Sequence, residues 1–87
     1  MKRWAEVFRA LANVNRLKII ELLIKNKTLN VSEITSKLQI SFKATSNHLT
    51  LLKNVEVIES EGRSGHVYYS INPKMPKDFQ KIISGII

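Results

Sequence analysis

Residues 30–54 read NVSEITSKLQISFKATSNHLTLLKN, and the pattern of this stretch decides the fold. Asn30 is a good N-cap residue, and Glu33 completes an approximate capping box, so a short helix is expected to follow and to end near Leu38. Ser41 then caps a second helix that reaches the end of the stretch. Two short helices joined by a three- or four-residue turn form a helix-turn-helix unit, whose second helix can lie in the major groove of DNA.

A β-hairpin is expected directly after this unit. Val57 and Ile58 open a strand, residues 62–65 (Gly-Arg-Ser-Gly) supply a turn, and residues 66–71 alternate as the returning strand. A hairpin in this position is the wing of a winged helix-turn-helix domain.

Apolar residues at helical spacing predict three further helices, over about 2–12, 15–25 and 76–87. The predicted order is helix, helix, helix, helix, strand, strand, helix, which is a mainly α fold with a small β-hairpin. Since 87 residues suffice for one modest core, we expect a single domain over residues 1–87. Its helix-turn-helix would cover about 31–54 and its wing about 57–71.

The first and last helices each carry a stripe of large apolar side chains. The stripes consist of Trp4, Val7, Phe8 and Leu11 in the first helix and Phe79, Ile82, Ile83 and Ile86 in the last. Because so small a domain is not expected to bury both stripes against one core, we predict that these two helices form a homodimer interface.

The second helix of the helix-turn-helix offers candidate DNA contacts near its N-terminus. If Leu49 and Leu52 face the core, then Thr45 and His48 lie on or beside the core face, while other side chains of the first turns point outward. With Arg63 at the wing tip and Arg16 as a phosphate contact, the predicted DNA-binding set is Ser41, Phe42, Lys43, Thr45, Ser46, Asn47, Arg63 and Arg16.

The charge of the chain favours an anionic partner. Fourteen Lys and Arg against seven Asp and Glu give a net charge of +7, which points to double-stranded DNA before an acidic membrane surface. The chain has no cysteine and no apolar stretch near the roughly 20 residues of a membrane span. These features predict a cytoplasmic protein without disulfides or a membrane partner.

An enzyme is not expected from this sequence. It shows no nucleophile with a plausible base, no carboxylate pair in a pocket-forming context and no glycine-rich phosphate loop. The alternative to a DNA-binding regulator is a winged-helix module that binds a protein or RNA, because fold does not fix function. Phe42 keeps that alternative open, since an apolar side chain on the second helix suits a protein groove as well as a thymine methyl group.

Residues 8–72 resemble the ArsR-type winged-helix repressors. The resemblance rests on Phe8 to Asn13 with Arg16 and Ile19 to Leu23; on Ser41 with Thr45, Ser46, His48, Leu49 and Leu52; and on Glu61 to Arg63 with Val67 to Tyr69. It implies a homodimer that pairs through its first and last helices and binds a palindromic operator.

Two departures from the family pattern concern turns. The family usually has Gly between the two helices and again after the second, where this chain has Gln39 and Glu56. Because a left-handed conformation costs a non-glycine residue roughly 1 kcal/mol, another turn geometry is favoured at both positions.

A third departure concerns metal sensing. Many members bind metals through Cys-Val-Cys at the start of the third helix, where this chain has Asn30-Val31-Ser32, or through Asp and His pairs on the final helix, which here offers only Asp78. His48 and His66 are not spaced as a chelate. We therefore expect His48 to be a packed residue and His66 a wing residue, with no metal and no cofactor.

Overall fold

The computed structural model describes the backbone of residues 2–86 and the side chains of residues 2–85. The elements in chain order are α1 (Lys2–Leu11), α2 (Val14–Asn26), β1 (Leu29–Asn30), α3 (Val31–Leu38), α4 (Phe42–Asn54), β2 (Ile58–Arg63), β3 (His66–Ile71) and α5 (Lys77–Ile86). The expected winged helix-turn-helix fold is confirmed, with one strand more than the sequence predicted.

The additional strand is β1, which completes a three-stranded antiparallel sheet in the order β1-β3-β2. Leu29 lies opposite Tyr69, and on the other side of β3 Ile58 lies opposite Ile71. The wing hairpin closes through Ser64 and Gly65, which both have positive φ (50° and 82°). Positive φ at both central residues matches the twist of the flanking strands. β1 therefore joins the start of the helix-turn-helix to the wing.

A single apolar core joins every helix and the base of the wing. Its fully buried members include Ile19 and Ile20 of α2, Ile34 of α3, and Leu49 and Leu52 of α4. The expected inward positions of α4 are confirmed. Because α3 and α4 each pack one face against this core, their orientation relative to each other is defined.

The predicted dimer stripes divide between this core and the surface. Val7, Leu11, Phe79 and Ile83 are at most 7% exposed, so their assignment to a dimer interface is wrong. Trp4 and Phe8 are 45% and 59% exposed, and Ile82 is half-buried against the core. The side chain of Ile86 lies outside the described residues.

The two turns without glycine keep the left-handed conformation. Gln39 has φ 56° and ψ 42°, and its N–H donates to the Thr35 carbonyl at 2.9 Å. Glu56 has φ 65°, and its carbonyl accepts a hydrogen bond from the side-chain Nδ2 of Asn72 at 3.0 Å. The expectation of another geometry is wrong, because hydrogen bonds from the surrounding chain hold each turn in place.

Candidate nucleic-acid interface

The N-terminus of α4 is built by Ser41 and Thr45. The Ser41 Oγ accepts the Ala44 N–H at 3.0 Å and so caps the helix. The Thr45 hydroxyl donates to the Ser41 carbonyl at 3.0 Å and accepts from the Thr35 hydroxyl at 2.9 Å. Thr45 is fully buried, so its assignment to the DNA-binding set is wrong. It fastens α3 to α4 instead.

An outward face of α4 carries the remaining predicted side chains together. Phe42 is 60% exposed, Lys43 and Asn47 are exposed, and Ser46 is half-buried. Lys43 and Asn47 lie four positions apart and so on one side of the helix. The face combines an ammonium donor, an amide that can both donate and accept, and a hydroxyl, which are the groups that can contact base edges or phosphates.

The Arg16 guanidinium is engaged by groups of α1 and α4. Its Nε donates to the Ala10 carbonyl at 2.7 Å, its Nη2 to the Arg9 carbonyl at 2.8 Å, and its Nη1 lies 3.2 Å from Nδ1 of His48. These bonds favour a structural role over the predicted phosphate contact. Arg16 joins the C-terminal end of α1 to α4.

His48 is the packed residue that the sequence predicted. An arginine only donates hydrogen bonds, so Nδ1 of His48 accepts and the neutral ring carries its proton on Nε2. Burial lowers the pKa of the His48 imidazole, and the positive charge of Arg16 lowers it further. Burial also lowers the pKa of the Arg16 guanidinium. The pair fixes one ring orientation on the inner side of α4.

The wing places Arg63 at the end of β2, beside the turn. Its Nε pairs with the Glu61 carboxylate at 2.9 Å, and its guanidinium lies 5.2 Å from the centre of the Tyr68 ring. The Arg63 side chain is 55% exposed. At the base of the wing, Lys53 of α4 donates to the Ser60 hydroxyl at 2.7 Å. This bond ties the end of α4 to the wing.

A second surface lies on α1, where the rings of Trp4 and Phe8 stack with centroids 5.9 Å apart. Arg3 of the same helix forms two hydrogen bonds with the Asp78 carboxylate, at 2.9 and 3.2 Å, and lies over the Phe79 ring. The Arg3 guanidinium lowers the pKa of the Asp78 carboxyl. This ion pair between α1 and α5 was not predicted, because nothing in the sequence marks a contact between residues 75 positions apart.

Two observations bear on metals and membranes. Among residues 2–86, His, Asp and Glu side chains do not form any group of three that could hold a metal ion. The same part of the chain contains no helix with the length and apolar character needed to cross a bilayer.

A protein-family model described as "Bacterial regulatory protein, arsR family" matches residues 13–60, more than half of the chain. The transcriptional repressor SdpR of Bacillus subtilis is 35% identical over 72 residues, which are 83% of this chain and 79% of SdpR. The transcriptional repressor PagR of Bacillus anthracis is 32% identical over 82 residues, which are 94% of this chain and 82% of PagR.

Solved structures share the fold. The crystal structure of PagR superposes with a TM-score of 0.78 at 30% identity and covers 99% of this chain and 94% of PagR. The solution structure of the homodimeric winged helix-turn-helix DNA-binding domain Mb0332 from Mycobacterium bovis gives a TM-score of 0.80 at 26% identity, covering 98% of this chain and 75% of Mb0332.

Proposed function

The chain belongs to the ArsR family of bacterial regulatory proteins, and from that premise we propose that it is a repressor that binds a palindromic operator as a homodimer. The family consists of DNA-binding transcription regulators and not of enzymes. The observation that carries the proposal is the polar outward face at the N-terminal end of α4, formed by Lys43, Ser46 and Asn47, with a wing following α4 in the chain. Because it acts on DNA, we place the protein in the cytoplasm.

Two classes of DNA contact follow from the positions of these side chains. Lys43, Ser46 and Asn47 discriminate bases in the major groove, where donors and acceptors differ between base pairs. Ser41, at the positive end of α4, lies beside a phosphate. Arg63 contacts a phosphate or the minor groove after giving up its bond to Glu61.

The proposed homodimer places two copies of α4 in successive major grooves, roughly 34 Å apart. Its support is the stacked pair of Trp4 and Phe8 on α1, which leaves two large rings exposed, together with the homodimeric state of Mb0332. The assignment as a repressor rests on the similarity to SdpR and PagR.

The test separates base discrimination from general affinity. The wild-type protein first selects a duplex, either from a random library or from its own upstream region. This selected duplex is then titrated against random duplex at several salt concentrations. We expect Lys43→Ala and Asn47→Ala to lower the preference for the selected duplex by about 1–3 kcal/mol where a bidentate contact is lost. Lys25→Ala, which removes one exposed charge from α2, is the matched control and should leave the preference unchanged.

Arg63→Ala should weaken binding to all sequences alike and reduce the slope of log K against log salt concentration by about one. A specificity ratio that survives both α4 substitutions would contradict the proposal and favour a module that binds a protein or RNA. Transcription from the selected duplex in a reporter, with and without the protein, then decides between repression and activation.

A further inference from the structure

An apolar cleft of about 220 Å³ lies between the first turn of α4 and the wing turn. Phe42 of α4 and Val67 of β3 line it and are 60% and 46% exposed. Val31, half-buried at the start of α3, lines the same cleft. Its other lining residues are Asn30, Ser32, Gly65 and His66. Two exposed apolar side chains from different elements thus line one cleft.

The cleft is continuous with the proposed DNA-contacting face. Phe42 directly precedes Lys43, and Ser46 lies four residues further along, so Phe42 and Ser46 share one side of α4. Val67 belongs to the wing, which the proposed function also brings to DNA through Arg63. The apolar cleft is therefore on the side of the molecule that faces the duplex when α4 enters the major groove.

The major groove offers one apolar group to such a cleft. Base edges there present hydrogen-bond donors and acceptors, apart from the C5-methyl group of thymine. A phenyl ring placed against an amino group or a carbonyl oxygen would remove water from it without replacing the hydrogen bond, which is unfavourable.

We propose that Phe42 and Val67 form a specificity pocket for the methyl group of a thymine, one in each half of the operator. This inference rests on the proposed function, because it requires α4 to enter the major groove. Phe42 is then the residue that selects thymine at one position, beside the hydrogen-bonding contacts of Lys43 and Asn47.

Uracil tests the inference without altering the protein. In the duplex selected by the wild-type protein, each thymine is replaced in turn by uracil, which keeps the base pair and loses only the methyl group. At one thymine per half-site we expect binding to weaken about fourfold, the factor that corresponds to burying one methyl group. Uracil at the other thymines should leave the affinity unchanged.

A cycle with Phe42→Ala assigns the effect to this residue. The variant should bind the thymine and uracil duplexes equally, because the ring that senses the methyl group is gone. Val14→Ala, which shortens an equally exposed apolar side chain on α2 (63% exposed), should keep the fourfold difference. Since Phe42 is mostly exposed, its removal should leave the melting temperature nearly unchanged, and any effect of uracil on duplex shape cancels in the cycle.

The outcomes separate this inference from the function on which it rests. If the wild-type protein selects no sequence at all, the proposed function itself fails. If it selects an operator but uracil has no effect at any thymine, or if Phe42→Ala keeps the fourfold difference, the methyl pocket is overturned while sequence-specific binding stands.

Discussion

Arg16 connects two helices through one guanidinium group. The last carbonyls of a helix have no partner within it, and a cation near them is favourable. Arg16 donates to the carbonyls of Arg9 and Ala10 at the end of α1 and brings its positive charge there. Its guanidinium also contacts His48 on α4. The helix proposed to contact DNA is thereby linked to the helix that carries the exposed aromatic pair.

The His48 contact predicts a pH dependence of stability. The ring accepts from Arg16 only when Nδ1 is deprotonated, and the pKa of folded His48 lies below its ordinary 6.5. Below pH 6.5 the unfolded chain binds a proton that the folded chain resists, so the free energy of unfolding should fall as the pH drops from about 6.5 towards the folded pKa. Urea unfolding between pH 7.5 and pH 5 measures this slope.

Two variants show whether His48 is responsible. His48→Gln removes the titrating group and should flatten this part of the pH profile, whereas His66→Gln, on the exposed wing, should leave the wild-type slope intact. A slope that persists in His48→Gln would contradict the interpretation.

At the residue scale, the sequence identified the outward side chains of α4 better than their anchors. Helical spacing from Leu49 and Leu52 correctly placed Phe42 and Lys43 outside. The same spacing placed Thr45 on or beside the core face, but the sequence could not identify the partners of Thr45 or Arg16, because those partners lie in other elements. Thr45 pairs with Thr35 across the turn, and Arg16 bonds to carbonyls of the preceding helix.

At the scale of elements, the turn between α3 and α4 sets the direction of α4, the helix proposed to contact DNA. Gln39 adopts a left-handed conformation there (φ 56°), which costs a side chain with a Cβ roughly 1 kcal/mol. Gln39→Gly removes that strain, so we expect the free energy of unfolding to rise by up to about 1 kcal/mol. The greater conformational entropy of glycine in the unfolded chain offsets part of this gain. Thermal and urea unfolding measure the change.

The control for this substitution lies in the same helix. Ser36 is exposed in α3 with helical geometry, so Ser36→Gly should destabilise the protein by about 0.5 kcal/mol through lost helix propensity. If both substitutions change the free energy of unfolding in the same direction, strain at Gln39 does not determine the effect.

The strand β1 shows why one element escaped prediction. Two residues are too few to display alternation, and Leu29–Asn30 becomes a strand only because Tyr69 and Tyr68 of β3 lie opposite. The wing itself was predictable, since the Ser64-Gly65 turn and the alternation that follows are local features. Longer elements with local signals were therefore predictable, and pairing between distant segments was not.

At the scale of the whole molecule, the absence of thiolate ligands bears on how the protein folds and functions. The chain has two histidines and no cysteine. His48, on α4, is engaged with Arg16 of α2, and His66 lies on the wing. We expect exhaustive treatment with EDTA to leave the melting temperature and the affinity for the selected duplex unchanged. Loss of either on chelation, restored by adding a divalent cation, would reveal ligands that this interpretation lacks.

The division of the two apolar stripes changes the argument for a dimer. Sequence reasoning assumed that one small core could not take both stripes, yet Val7 and Phe79 are fully buried within the chain. Helical spacing identifies an apolar face but not what covers it. The apolar surface that these stripes leave for a second copy is smaller than expected and centres on the stacked rings of Trp4 and Phe8.

Those two rings make the dimer testable by single substitutions. Exposed residues tolerate a charge in the folded chain, but a carboxylate buried between two copies without a partner is strongly unfavourable. We therefore expect Phe8→Glu and Trp4→Glu to fold and yet scatter light as chains of 10.0 kDa, while the wild type scatters at twice that mass. Val14→Glu, at an equally exposed apolar position on α2, should remain dimeric.

The single tryptophan provides an independent signal for the same contact. In the proposed dimer Trp4 is covered by the second copy, so dilution or Phe8→Glu should shift its emission to longer wavelength as water reaches the indole. The monomeric variants should lose most of their affinity for a palindromic duplex and keep that for a single half-site, because linkage of two half-sites requires both copies. A wild-type protein that scatters as a single chain at micromolar concentration, with emission unchanged by Phe8→Glu, would show that this aromatic pair serves another partner.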